Sequence, residues 1–239
     1  MEHVNKVIFG GPRSGTKLLA KIFQNQGYHN FGEFFNSFSC EIVYDNIPYA
    51  KRITKEKQCI ISDTRKKSGI YYDDFCHAIT VRDRAKLFKE FNSVTPSIVT
   101  VWEASFKLAP ETFKLTDDRY VLCTRRINRF EQLLSRSITK MNYNHDNEFK
   151  SAPVEIKLST FEFHFQSLVY TEQLQDQIIN LGKGRIVEFD KLITGQEDLG
   201  FPYSVTTTDQ HPDLETLVLN LDEIVAKYNK LKEWYGIKW

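Results

Sequence analysis

Apolar residues fall into short runs separated by longer stretches in which they recur every three or four positions. The runs at 6–9, 58–62, 97–102, 120–124 and 185–189 are short, rich in valine and isoleucine, and followed by polar or glycine-bearing sequence. They predict five buried strands. Leu18, Leu19, Ile22 and Phe23 form a helical stripe after the first run, and Ile127, Phe130, Leu134 and Ile138 form another after the fourth. A longer stripe of Leu214, Leu217, Leu221, Ile224, Tyr228, Leu231 and Tyr235 follows Pro212, a residue suited to a first helical turn. Strands alternating with amphipathic helices predict an α/β fold with a central, mostly parallel sheet flanked by helices. We expect one domain over 1–239 with a helical C-terminal portion from about residue 205. Segment 141–154 interrupts the pattern with Asn142, Asn144, His145, Asp146, Asn147 and Pro153, a polar loop that either covers a site or is passive surface.

Composition narrows the function classes. A chain of 239 residues with 41% apolar and 26% charged residues can bury a core without staples. Its 32 basic and 31 acidic residues nearly cancel, which argues against a nucleic-acid binder with a broad basic surface and leaves room for a local anion pocket. Cys40, Cys59, Cys76 and Cys123 show no C-x-x-C pair and no zinc-like spacing with histidine. Cys59 and Cys123 sit inside apolar runs, as small core residues in a reducing compartment do. No secretory h-region and no stretch of about 18 apolar residues appears, so a cytoplasmic protein without a membrane span is expected.

The strongest local signal is Val7-Ile8-Phe9-Gly10-Gly11-Pro12-Arg13-Ser14-Gly15-Thr16-Lys17-Leu18-Leu19. A strand enters a glycine-bearing turn and then a helix, which aims backbone N–H groups and a positive helix end at one anion. The nucleotide-triphosphate loop G-x-x-x-x-G-K-[ST] shares the spacing of Gly10 and Gly15, but here Thr16-Lys17 reverses its last two residues. The cation inside the loop is Arg13 instead.

Pro12-Arg13-Ser14-Gly15-Thr16 resembles the 5′-phosphosulfate loop of sulfotransferases, P-[KR]-S-G-[TS]. The resemblance implies 3′-phosphoadenosine 5′-phosphosulfate (PAPS) as donor and 3′,5′-adenosine bisphosphate (PAP) as product. It also implies donor contacts from Gly11, Pro12, Arg13, Ser14, Gly15, Thr16, Lys17 and Leu18. Arg13 would stabilise charge on the departing 5′-phosphate. A sulfuryl group carries less charge than a phosphoryl group, so no metal is required for its transfer.

Such a donor carries a second anion, its 3′-phosphate. A second basic strand–helix turn is present in Cys123-Thr124-Arg125-Arg126-Ile127-Asn128-Arg129, with Asn128, Gln132 and Ser135 on one helical stripe. It is similar to the family's 3′-phosphate motif, an arginine at a strand end and a serine on the next helix. The usual form spaces them eight apart with Asn-Pro after the arginine, whereas Arg126 and Ser135 stand nine apart without the proline. The variant R-x-[DN]-x-x-x-Q-x-x-S resembles bacterial carbohydrate sulfotransferases that modify trehalose. Arg126 and Ser135 are therefore the expected 3′-phosphate pair, with Arg125 the alternative cation.

Transfer to a hydroxyl needs a base. Glu33, within Gly32-Glu33-Phe34-Phe35-Asn36, is similar to the catalytic glutamate segment of the trehalose-type enzymes, and its aromatic neighbours would raise its pKa. His29 and His77 are the other candidates. Segment 186–193 resembles the V-x-[YF]-E-D-L-I run late in many sulfotransferases, while the C-terminal Arg-Lys-Gly element of cytosolic animal members is missing. The acceptor implied is a carbohydrate or small-molecule hydroxyl, met by loops around 34–52, 66–77 and 141–154. Two other classes stay open. One is a P-loop small-metabolite kinase using MgATP, with Asp63 as a metal-site carboxylate. The other is a nucleotide-binding module without activity.

Overall fold

A computed structural model describes residues 5–31, 93–101, 119–142, 153–205 and 214–239. Five parallel strands form one sheet: β1 (Lys6–Phe9), β2 (His29–Asn30), β3 (Ser97–Val101), β4 (Tyr120–Arg125) and β5 (Gly184–Glu188), in the order β2-β3-β1-β4-β5. β1 is the central strand, with Phe9 level with Val101 on one side and Cys123 on the other. The helices, labelled in order among the described residues, are α1 (Thr16–Asn25), α2 (Arg129–Asn142), α3 (Leu158–Asn180), α4 (Phe189–Ile193) and α5 (Leu221–Tyr235). The fold class is thus α/β, a parallel sheet flanked by helices.

Strand alternation sorts the sheet into two apolar faces. Ile8, Ile98, Leu122 and Val187 pack with Leu19, Ala20, Ile22 and Phe23 of α1 and Leu192 of α4. Val7, Phe9, Val121 and Cys123 alternate to the opposite face and are wholly buried. On the α2–α3–α5 side, Leu133, Leu134, Ile138, Phe161, Phe165, Ile224 and Leu231 form a second core with Phe130, Tyr228 and Trp239 packed against it.

The apolar runs at 6–9 and 120–124 lie on β1 and β4, and the run at 97–102 lies on β3 as far as Val101; residue 102 and the run at 58–62 lie outside the described residues. Four expectations change. The run at 185–189 forms a strand only to Glu188, and Phe189 opens α4. Ile127 is 59% exposed, because it precedes α2 and does not share its buried face. The C-terminal stripe is not one helix. A 3₁₀ turn at Glu215–Leu217 ends at Val218, which bridges to Val154, and α5 begins only at Leu221. The side-chain amide of Asn220 donates to the Ile156 carbonyl and its oxygen accepts from the Ile156 N–H, so this interruption is stapled to the start of the α3 segment. Finally, residues 141 and 142 complete α2 and Val154 joins that bridge, so the ends of the expected loop are ordered elements.

Candidate functional site: a phosphate-type loop and a basic corner

The loop leaves β1 at its C-terminal end, where flanking strands diverge and a crevice forms in open parallel sheets. Gly10 has no room for a side chain: a Cβ there would lie 2.0 Å from Thr124 Oγ1 and 2.5 Å from Ser14 Oγ. Those two hydroxyls bond each other at 2.7 Å, and Ser14 Oγ also donates to the Gly11 carbonyl at 2.7 Å. Ser14 therefore faces inward, 1% exposed, and braces the turn. Arg13 takes a left-handed φ of 66°, uncommon for a side chain of its size. Gly15, at φ 89°, serves as the N-cap of α1 without supplying a side-chain acceptor. The first intrahelical bond runs from Leu19 N–H to the Gly15 carbonyl. The N–H groups of Thr16, Lys17 and Leu18 consequently have no acceptor within the helix and face its open, positive end.

Two glutamines hold this loop from behind, a role that sequence spacing gives to neither. Gln132 on α2 donates its amide to the Pro12 carbonyl at 3.0 Å. Gln175 on α3, fully buried, donates to the Phe9 carbonyl at 3.2 Å and to the Thr124 carbonyl at 3.1 Å. Its oxygen accepts from Arg125 Nε at 2.6 Å. Gln175 thus satisfies the last carbonyl of β1 and the carbonyl of Thr124 just where the chains turn away to form the loop and the basic corner. No sequence signal marks Gln175, an amide in the middle of a long helix.

The three arginines of the basic corner separate by role. Arg125 continues the alternation of Cys123 toward α3, where it donates to the Glu172 carbonyl and pairs with Asp176 at 2.6 Å. Arg129 pairs with Glu172 at 3.1 Å, and the other oxygen of that carboxylate accepts from the Trp239 indole at 3.0 Å. Both cations brace α3. Arg126 turns the other way. Its guanidinium lies 5.0 Å from the ring centroid of Phe189, and that ring stands 2.3 Å from where a Cβ of Gly15 would be. One phenyl ring thus joins the two basic corners. Arg126 is bonded to Glu131 at 2.6 Å. Ser135, one turn beyond Gln132 on α2, is partly exposed. The expected polar stripe also divides: the Asn128 side chain accepts from Glu131 N–H at 3.0 Å and caps α2, while Gln132 serves the loop.

Thr16 is 5% exposed and its methyl group packs toward Gly10, whereas Lys17 is exposed. His29 pairs with Ser97, one position before the residue level with Lys6. It therefore stands at the N-terminal edge of the sheet, roughly 15 Å from the loop at about 3.3 Å per residue. Burial lowers its pKa, but that position removes it as a base at the loop. Glu33, His77 and Asp63 lie outside the described residues.

Fold and site together define an α/β protein with a glycine-bearing strand–loop–helix corner and a second basic corner beside it. No family model matches the chain, and no curated protein matches it. Among solved structures, it is similar to the shikimate kinase of Bacteroides thetaiotaomicron, with 11% identity over 98% of this chain and 99% of that one, at a TM-score of 0.45. A likeness of that strength carries no weight, so the fold class rests on the strand order and register. Among the described residues no helix is long and apolar enough to cross a membrane.

Proposed function

We propose that the chain is a sulfotransferase that moves a sulfuryl group from PAPS to a hydroxyl of a carbohydrate or small-molecule acceptor. The observation that carries this reading is the exchange of cations in the loop. Thr16 is buried at the position where a nucleotide-triphosphate loop has its lysine, Lys17 is exposed, and Arg13 stands inside the turn in a left-handed conformation. An arginine and backbone N–H groups suit a 5′-phosphosulfate, whose transferring group carries less charge than a phosphoryl group.

The donor supplies an activated sulfuryl group, and the residues of the chain bind and orient it. The loop N–H groups hold the 5′-phosphate, and Arg13 neutralises charge that grows on it as the sulfur–oxygen bond breaks. Thr16 and Lys17 add contacts to the same group, and Arg126 with Ser135 takes the 3′-phosphate. Glu33 accepts the proton of the acceptor hydroxyl while the hydroxyl oxygen bonds to sulfur on the side opposite the departing 5′-phosphate. PAP leaves with the electron pair of the broken bond.

A second reading, a P-loop small-metabolite kinase using MgATP, draws on the spacing of Gly10 and Gly15 and on the strand–loop–helix corner common to both classes. Calorimetric titration with PAP, and with ATP in the presence and absence of magnesium, separates them. We expect metal-independent PAP binding that Arg126→Ala weakens. Magnesium-dependent ATP binding with no preference for a 3′-phosphate would replace the sulfotransferase reading with the kinase. Binding of PAP without turnover in an acceptor screen would leave a nucleotide-binding module.

A further inference from the structure

Arg126 and its partner are buried unequally. The arginine side chain is 12% exposed and the Glu131 side chain 39%. One terminal nitrogen of the guanidinium donates to Glu131 Oε1 at 2.6 Å, and the Phe189 ring lies 5.0 Å from its centre. Its Nε is buried and has no acceptor among the described residues. A buried donor left unmade costs free energy, so an acceptor is expected on that edge when the site is filled. The edge belongs to the same corner as the loop, because Phe189 also packs on Gly15. Glu131 is anchored by its backbone through Asn128, but its carboxylate sits at the solvent rim and can swing outward.

We propose that Glu131 is an internal counter-ion, which holds Arg126 in the free protein and is displaced to solvent when a phosphate of the ligand arrives. A largely buried guanidinium needs compensation, and the carboxylate supplies it until a dianion replaces it. A phosphate can accept from Nε and a terminal nitrogen side by side, satisfying the buried donor that Glu131 leaves unmet. A neutral ribose hydroxyl cannot displace the carboxylate, so the pair discriminates against nucleotides that lack the second phosphate. The identity of that group as a 3′-phosphate rests on the function proposed above, whereas displacement of Glu131 holds for any dianion reaching Arg126.

The test is calorimetric titration of the wild type, Glu131→Gln and Glu131→Gln/Arg126→Gln with PAP, AMP and ATP, with urea unfolding to verify that each variant is folded. Glutamine retains the size of the side chain and removes only its charge. Expected is a PAP affinity roughly 5-fold higher in Glu131→Gln, with AMP unchanged and the gain lost in the double variant. Unchanged or weaker binding of every nucleotide in Glu131→Gln overturns displacement, and a wild type that prefers PAP in the same experiment leaves the sulfotransferase reading standing. An Arg126-dependent gain for ATP, in a protein with no preference for PAP, keeps displacement and overturns that reading. Failure of all variants to bind any nucleotide overturns both.

Discussion

At the residue scale, Gly15 and Gln175 each fix one part of the loop's geometry. A methyl group on Gly15 meets two penalties, a left-handed backbone and the Phe189 ring at 2.3 Å. Gly15→Ala is expected to lower stability by about 1–3 kcal/mol in urea unfolding, and adding Phe189→Ala should return the part that comes from the clash. Gln175→Leu removes three hydrogen bonds and leaves the Phe9 and Thr124 carbonyls without that donor in a fully buried place. A loss of about 3 kcal/mol is expected by the same measurement, together with weaker nucleotide binding. Cys123 gives a pH signature. Burial pushes its thiol up from 9.0 to about 12, so the folded state keeps its proton while the unfolded chain ionises. Stability from this group is complete below pH 9 and falls by about 1.4 kcal/mol per unit as pH rises toward 12. Unfolding midpoints measured at pH 8 and 10.5 should therefore drop less in Cys123→Val than in the wild type.

At the element scale, α2 is started by a side chain and α3 is the scaffold for both basic corners. Asn128 caps α2 through Glu131 N–H, and Asn128→Ala should cost about 1 kcal/mol, read as a shift in thermal unfolding. The strand–loop–helix at 6–25 was legible because valine, isoleucine and glycine in that order allow few alternatives. The helix α3 was not. Its buried residues include His164, Ser167, Thr171, Glu172 and Gln175, so polar side chains interrupt the apolar stripe that marks a helix buried on one face. These polar groups are matched by partners far along the chain: Ser137 for His164, Arg136 for Ser167, and Arg129 with Trp239 for Glu172. The broken C-terminal stripe has a similar origin. Val218 meets Val154 in a bridge whose backbone bonds outcompete continued helix.

At the scale of the whole molecule, the sheet order places β1 between β3 and β4, so the loop after β1 and the turn after β4 open side by side. On the proposed function, a nucleotide spanning both corners would tie β1, β4 and their helices together. PAP at 100 times its dissociation constant should raise unfolding free energy by about 2.7 kcal/mol, seen as a thermal shift without added metal. The sequence by itself determined the α/β class, the positions of β1, β3 and β4, and the residues of the loop, because local alternation, glycine placement and short-range spacing encode them. Only the tertiary structure decided which arginine turns toward the loop, since Arg125 and Arg126 are adjacent and alike until α3 takes one and Phe189 the other. It also removed His29 from the site by placing it on the opposite sheet edge, and revealed Gln132 and Gln175 as supports of the loop. Those outcomes depend on partners tens of residues away, and the side chain alone carries no mark of them.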